Sequence, residues 1–301
     1  MAVIPTGSHP KALWPGVAAW FGAEYEKHPT QYTKLFDVKT SNKNYEELVE
    51  QTGFGLAPVK AEGSSTAYDS HAQGSLSRGV NKAYSLGYIV TREEKDDNLY
   101  SEVSMQRAGS LAFSMAQTRE NVGANVYNRA FNSSYVGGDG KELLATDHPS
   151  LAGDQSNELA TAADLSEASL EDLTIQIMDA KNSKGLKISL QPKCLIVPTA
   201  LIYDAQRILK STLQTGSANN DINAIGSMSV IPDVAVNNYL TDNDAFYIRT
   251  NAPSGMCWYD RNAVEFSKDE DFDTDNAKAK AYMRFVPFYG DWRGLFGSAG
   301  A

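Results

Sequence analysis

Apolar and polar side chains alternate between residues 80 and 90 of the chain. The apolar members of this alternation occupy even positions: Val80, Tyr84, Leu86, Tyr88 and Val90. A repeat of two residues is typical of a half-buried β-strand. The stretch before it, 61–79, holds five serines, three glycines and almost no apolar side chains. The pattern predicts a long β-hairpin between Leu56 and Val90 with a solvated tip at 61–79. A ribbon without a core of its own is expected to lean on another subunit.

A helical periodicity follows in a stretch that has no proline between Pro58 and Pro149. Its apolar and its small side chains form two neighbouring faces, with Leu111, Met115, Val122 and Val126 on one and Ala108, Ala112, Ala116 and Gly123 on the other. These spacings indicate one helix with two packing faces, predicted from Asp97 to Asn132 with an acidic start that suits a helix N-terminus. A coiled coil is the alternative, but its heptad repeat is not sustained.

The remaining predicted elements are shorter. After a turn-rich segment from Ser133 to Ala163, the pattern predicts an amphipathic helix that begins near Ser166 and ends at Gly185. The further predicted elements are a strand at 194–197, a helix opening at Pro198–Thr199, a loop at 211–227, short strands near Val230, 246–248 and 257–259, and a final strand from Ala281 to Gly290. Because strands and helices do not alternate regularly, the predicted class is α+β.

Residues 1–40 contain four of the eleven prolines together with scattered aromatic side chains. This composition favours an extended arm over a compact unit. An arm rich in aromatic side chains needs a surface to lie on. The sequence leaves open whether that surface is its own domain or a neighbouring subunit.

Charge and composition narrow the class of protein. The 301 residues are 42% apolar and carry 27 Lys and Arg against 37 Asp and Glu, a net charge of −10. The acidic excess belongs to residues 96–301, which hold 17 basic and 27 acidic side chains. Such a chain lacks the basic surplus with which proteins neutralise nucleic-acid phosphates. No apolar stretch approaches the ~20 residues that span a bilayer, and the start has no basic region typical of a secretion signal, so we expect a cytoplasmic product.

Candidate catalytic chemistry is sparse. Phosphate-binding glycine loops, nucleophile elbows, His-Glu-x-x-His and Cys-x-x-Cys motifs are absent, and Cys194 and Cys257 predict neither a disulfide framework nor a zinc site. His148, in an Asp-His-Pro turn, is the histidine that a hydrolase would use with nearby carboxylates, although a turn histidine is the simpler interpretation. The sequence therefore predicts no catalytic residue and no cofactor.

The densest acidic stretch has carboxylates at alternate positions, namely Asp269, Asp271, Asp273 and Asp275. Clustered carboxylates bind Ca²⁺, but EF-hand spacing counted from Asp269 requires glycine where Thr274 stands and glutamate where Lys280 stands. The four aspartates are a candidate cation site, and a solvated or interface loop is the favoured interpretation.

The order of these parts resembles the major capsid (head) proteins of tailed bacteriophages, and most closely the Mu-like head-subunit group. Two motifs carry most of the resemblance, Gly138-Asp-Gly-Lys-Glu-Leu-Leu-Ala-Thr-Asp-His-Pro149 and Leu195-Ile-Val-Pro-Thr-Ala-Leu201. The aromatic arm, the hairpin and the long helix extend it over nearly the whole chain. It implies the Hong Kong 97 (HK97) capsid fold, with an N-terminal arm at 1–40, an E-loop at 41–95, a peripheral domain with the spine helix at 96–165, an axial domain at 166–255, and a return to the peripheral domain with the acidic loop at 256–301.

The resemblance also implies a structural protein rather than an enzyme. Its subunits would self-assemble into hexamers and pentamers of an icosahedral phage head around double-stranded DNA. The implied partners are other copies of the chain, a portal protein, a scaffolding protein and a decoration protein, with no membrane. The implied place is the virion, assembled in the host cytoplasm. An encapsulin-like cellular compartment and a His148-dependent hydrolase are the alternatives.

Overall fold

The computed structural model describes residues 14–96, 100–214, 221–271, 273 and 275–301. Its helices are α1 (Trp14–Lys27), α2 (Tyr32–Leu35), α3 (Arg92–Asp96), α4 (Tyr100–Asn128), α5 (Glu167–Met178), α6 (Ile202–Lys210) and α7 (Ala224–Met228). Its strands are β1 (Asp37–Thr40), β2 (Tyr45–Gln51), β3 (Gln73–Val80), β4 (Lys82–Val90), β5 (Pro192–Pro198), β6 (Val234–Asn237), β7 (Phe246–Thr250), β8 (Met256–Glu270), β9 (Ala277–Tyr289) and β10 (Leu295–Ser298). None of the helices in this described part of the chain has the length and apolarity needed to cross a bilayer.

The first sheet has four strands in the order β1-β8-β9-β4. β8 and β9 form a long antiparallel pair, β4 adds antiparallel to β9, and β1 adds a parallel edge to β8. Helix α4 packs against this sheet and buries Ala108 and Ala112 completely. A Cβ atom added at Gly123 would lie 3.2 Å from a ring carbon of Trp258. The small-residue face of α4 therefore lets the helix approach the sheet closely.

The second sheet has the order β10-β7-β5-β6, and α5, α6 and α7 contribute to the core beside it. Apolar side chains of α5 and β5 meet there, among them Leu170, Leu173, Ile177, Leu195 and Val197. Ser166 caps α5, since its side chain accepts the Ser169 backbone N–H while the Ser169 side chain accepts that of Ser166. The predicted start of this helix and the predicted strand–helix unit at 194–201 are confirmed.

Residues 14–40 form two helices and a strand instead of an extended arm. α1 packs on α4, and its apolar side chains Val17 and Phe21 are buried there. The expectation of an extended conformation is wrong for these residues, because the segment has an apolar face that its own domain covers. The first thirteen residues of the predicted arm lie outside the described residues.

A buried carboxylate ties this segment to α4. Glu120 accepts the backbone N–H groups of Gln31 and Tyr32, each at 2.9 Å, and so caps the start of α2. Burial raises the pKa of Glu120, and the two hydrogen bonds together with the nearby Arg119 charge oppose that rise. The hydrogen bonds from Gln31 and Tyr32 to Glu120 thus attach the N-terminal segment to α4.

The hairpin lies further toward the N-terminus than predicted. β2 pairs antiparallel with β3, so the tip covers 52–72 instead of 61–79. β4 pairs with β9 and belongs to the first sheet, although it falls inside the 41–95 segment predicted as E-loop. A period of two residues identifies a strand but not its partner. The alternation at 80–90 therefore predicts a strand correctly, but that strand pairs with β9 and is not part of the hairpin.

Other predicted boundaries also change. The described part of the long helix is Tyr100–Asn128, shorter than the predicted Asp97 to Asn132, and residues 97–99 lie outside the description. α5 ends at Met178 with Asp179 as its C-cap, so Gly185 is not its stop. The short strand predicted at 257–259 is part of β8, which has 15 residues, and α7 overlaps the predicted loop at 211–227.

The chain does not end on the strand predicted at 281–290. β10 follows β9 and pairs antiparallel with β7 of the second sheet. Leu295 and Phe296 of this strand are buried. Leu295 packs in the core of the first sheet and α4, and Phe296 packs in the core beside the second sheet.

Candidate assembly interface

The β2–β3 hairpin projects large apolar side chains into solvent at its tip, residues 52–72. Relative to a fully exposed state, Leu56 is 82% accessible, Tyr68 94% and Val59 101%. Apolar side chains so exposed make little contact with their own chain, and several of them in one segment mark a contact with another molecule. The hairpin tip is therefore the first candidate assembly surface.

The end of the β2–β3 hairpin strands next to the tip is fixed to the body by Glu50. Its carboxylate accepts a hydrogen bond from Ser75 at 3.0 Å, one from Ser183, and the Nη1 group of Arg293 at 3.2 Å. Arg293 is 2% exposed and also donates its Nε–H to the Lys181 carbonyl at 2.8 Å. Burial favours a high pKa for Glu50, but the Ser183 hydrogen bond and the Arg293 charge outweigh it and lower the pKa. The ion pair therefore ties the tip-side end of the hairpin strands to the body.

A second contact holds the hairpin tip against the loop that follows α5. Asp69 accepts the backbone N–H of Gly55 and the Nζ of Lys184, at 2.7 and 2.8 Å, and Lys184 also donates to the Ser70 carbonyl at 2.7 Å. The Gly55 hydrogen bond, Lys184 and the Ser70 amide lower the pKa of Asp69 to about 2. The tip-side end of the strands and the tip itself are thus both attached to the loop at 181–184.

This depressed pKa gives the tip contact a defined pH dependence. Because the folded pKa lies below the ordinary value of 3.8, the contribution of Asp69 is complete above that value and is lost as pH falls through about 2. We expect Lys184→Met to shift the titration midpoint of the Asp69 carboxyl carbon upward in a ¹³C NMR titration. Lys187→Met, which removes an exposed lysine paired with Asp179, is the control and should leave that midpoint unchanged. Equal midpoints in the wild type and Lys184→Met would show that Lys184 does not hold the tip.

His148 lies in an irregular turn, as predicted, but its side chain is completely buried. Its Nδ1 is 2.6 Å from Asp139 Oδ2, its Nε2 is 3.0 Å from Asn157 Oδ1, and its ring stacks on Trp292 with 4.2 Å between centroids. The Asn157 Nδ2 group faces the carbonyl oxygens of Leu143, Trp292 and Leu295, so Oδ1 is its acceptor and His148 Nε2 carries a proton.

This arrangement is one of packing. A general base must reach substrate, directly or through one water molecule. His148 has no exposed surface, and both ring nitrogens are already occupied by Asp139 and Asn157. Through His148 the turn packs against Trp292, which is next to the Arg293 that binds Glu50 of the hairpin. The geometry gives no support to the hydrolase alternative.

The four predicted acidic positions lie where β8 turns into β9. Asp269 belongs to the end of β8, while the other three lie in the turn. Asp271 pairs with Lys278, and Asp275 pairs with Arg92. Across the described residues, no group of three or more histidine, cysteine or carboxylate side chains is placed to hold a metal ion. Two of these carboxylates thus face a lysine and an arginine side chain; we call the four aspartates the acidic turn.

Large apolar side chains are also exposed near the second sheet. Tyr203 of α6, Met228 of α7 and Ile222, which precedes α7, are each more than two-thirds exposed. Sequence reasoning missed these side chains, and it also missed Glu50, Arg293, Asp69 and Lys184. The apolar residues could have been found as large apolar side chains in segments that have no strand or helix periodicity. The four charged residues could not, because no pattern along the sequence shows that they meet in the fold.

Three solved structures show the similarity of this fold to known proteins. A virus-like particle from Pyrococcus furiosus aligns over 94% of this chain and 98% of its own, with 11% identity and a TM-score of 0.55. The capsid of bacteriophage JBD30, decorated with minor capsid protein trimers, aligns over 71% and 92%, with 14% identity and a TM-score of 0.55. A structure from Mycobacterium phage Adephagia aligns over 91% of both chains, with 12% identity and a TM-score of 0.55. The chain therefore has the HK97-like fold of phage capsid proteins, as the sequence resemblance implied.

A family model described as phage capsid protein matches residues 81–297. The chain belongs to this phage capsid family, and its role is that of a structural component of the capsid in the virion. No curated protein sequence matches the chain.

Proposed function

We propose that the chain is the major capsid subunit that self-assembles into the hexamers and pentamers of an icosahedral head. The observation that carries this proposal is the exposed apolar hairpin tip, whose adjoining strands are tied to the body by Glu50 and Arg293. Extended elements that cross subunit borders add buried area without a larger core, and identical contacts repeated around closed symmetry make a shell stable.

The proposed parts of the subunit follow the predicted segments with three adjustments. The E-loop is the β2–β3 hairpin at 45–80, and β4 goes with the peripheral domain around α4, β8 and β9. The axial domain is built on 166–255 and takes in residues 295–298, whose strand pairs with β7. The N-terminal arm, 1–40, lies on the peripheral domain over the part described.

We further propose that the shell encloses double-stranded DNA without sequence-specific contacts. The net charge of −10 supports this, because a wall of negative charge repels phosphates and lets the genome move. A portal protein, a scaffolding protein and a decoration protein are the proposed partners, with assembly in the host cytoplasm. An encapsulin-like shell is the second candidate, favoured by the likeness to the Pyrococcus furiosus virus-like particle over nearly the full length of both chains.

Electron microscopy of the purified chain, expressed with and without a candidate scaffolding protein, tests the proposal. We expect hollow particles built of regular capsomers. Small uniform species in light scattering under every condition would contradict it. Double-stranded DNA recovered from nuclease-treated particles produced in the presence of the packaging partners would separate a phage head from a cellular compartment.

A further inference from the structure

A groove of about 550 Å³ runs between strand β3 of the hairpin and the first sheet. Val122 and Val126 of α4 and Phe288 of β9 lie along it, and Tyr135 and Leu76 form part of its rim. Tyr135 and Leu76 are exposed, whereas the other three are half-buried. The groove therefore offers partly covered apolar surface to a chain segment from outside.

The charged side chains of this groove are all basic. Arg78, Lys82 and Arg129 line it, and no carboxylate does. Arg78 is paired with Glu47, and Arg129 lies over the Tyr135 ring at 4.4 Å. Within the described ranges, neither Lys82 nor Arg129 has a carboxylate partner. On a chain of net charge −10, this is a local surplus of positive charge that an acidic segment would complement.

The acidic turn has the opposite surplus. Asp271 and Asp275 are paired within the chain, but Asp269 and Asp273 are exposed and form no ion pair in the part of the structure that is described. The turn joins β8 to the start of β9, whereas the groove borders the end of β9. Eight to twelve strand residues separate the two, or roughly 25–40 Å at the rise of a β-strand. The turn of one chain therefore does not reach the groove of the same chain.

We propose that the basic groove receives the acidic turn of a second copy of the chain, with Lys82 and Arg129 facing Asp269 and Asp273. This inference rests on the proposed shell function, since it names one contact by which the copies join. Groove and turn lie at opposite ends of the first sheet, so the contact is heterologous, and such contacts close into rings when the rotation between copies allows it.

Charge reversal with compensation tests this contact. In Lys82→Glu/Arg129→Glu, like charges would face each other, and we expect the fraction of protein in particles to fall by about tenfold or more. Asp269→Lys/Asp273→Lys should lose assembly to the same degree. The variant that combines all four changes should assemble to within about twofold of the wild type, because opposite charges face each other again. Lys27→Glu/Lys187→Glu, which reverses two exposed lysines elsewhere, is the control and should assemble normally.

A zero-length carbodiimide cross-link provides a second, direct readout. In wild-type particles we expect mass spectrometry to find Lys82 joined to Asp269 or Asp273 of another copy. Normal assembly of Lys82→Glu/Arg129→Glu, failure of the combined variant although it remains folded, or cross-links from Lys82 only to the hairpin tip would each overturn the inference and leave the shell function standing. A wild-type chain that forms no particle at all would overturn the shell function and this contact together.

Discussion

We expect the variant Leu56→Ser/Val59→Ser/Tyr68→Ser to lose shell formation while its protomer remains folded. These side chains are 82–101% exposed, so their replacement removes little contact within the chain, and surface changes of this kind alter stability by about 0.5 kcal/mol or less. On a neighbour, each buried apolar side chain would contribute about 1.5–3 kcal/mol, and the loss would recur at every copy of the contact. Sedimentation velocity and electron microscopy measure the loss of particles, and the circular dichroism melting curve reports the fold.

Leu151→Ser is the matched control for this prediction. Leu151 is 72% exposed and belongs to the turn-rich segment, not to the hairpin. We expect this variant to assemble like the wild type. Particles formed by the triple variant at wild-type protein concentrations would show that the hairpin tip is not an assembly contact.

The second large effect is expected for Arg293→Met. Arg293 is almost completely buried and faces both Glu50 and Asp291 at 3.2 Å. Burial raises the pKa of Asp291, and the Arg293 charge counteracts this rise. Removing one member of a buried ion pair leaves the other charges uncompensated, at a cost of about 3–5 kcal/mol. We expect a loss of unfolding free energy of that size in urea titrations, together with faster hydrogen exchange in β2.

Two further variants make the result interpretable. Arg207→Met removes an exposed ion pair with Asp204, for which we expect a loss below about 1 kcal/mol. Glu50→Gln keeps Asp291 as a partner for Arg293, so we expect it to loosen the attachment of β2 with a smaller loss of stability. This variant lets the attachment be examined even if Arg293→Met does not fold. Unchanged exchange rates in β2 of both Arg293→Met and Glu50→Gln would mean that this cluster does not anchor the hairpin.

The best-predicted parts of the fold are those whose signals are local. The start of α5 at Ser166 was visible because a capping serine precedes an apolar stripe, and the strand–helix unit at 194–201 because a proline follows a short apolar run. The stop at Gly185 failed although glycine often ends a helix, because Gly185 serves a later turn with φ of 85°. The predicted location of the hairpin is wrong for a different reason. β2 and β3 are joined by a long tip, and the sequence of neither strand shows that they pair with each other.

By itself, the sequence determined the α+β class, the long helix with its small-residue face, and the resemblance to phage capsid proteins. These features depend on periodicity and motif order, which are properties of neighbouring residues. Only the tertiary structure decided that His148 is a packed side chain, that the N-terminal segment lies on its own α4, and that Arg293 holds Glu50 across most of the chain length. Burial and ion pairing depend on which residues distant in sequence come into contact. Single charged side chains along the sequence do not show which of them will be in contact in the folded chain.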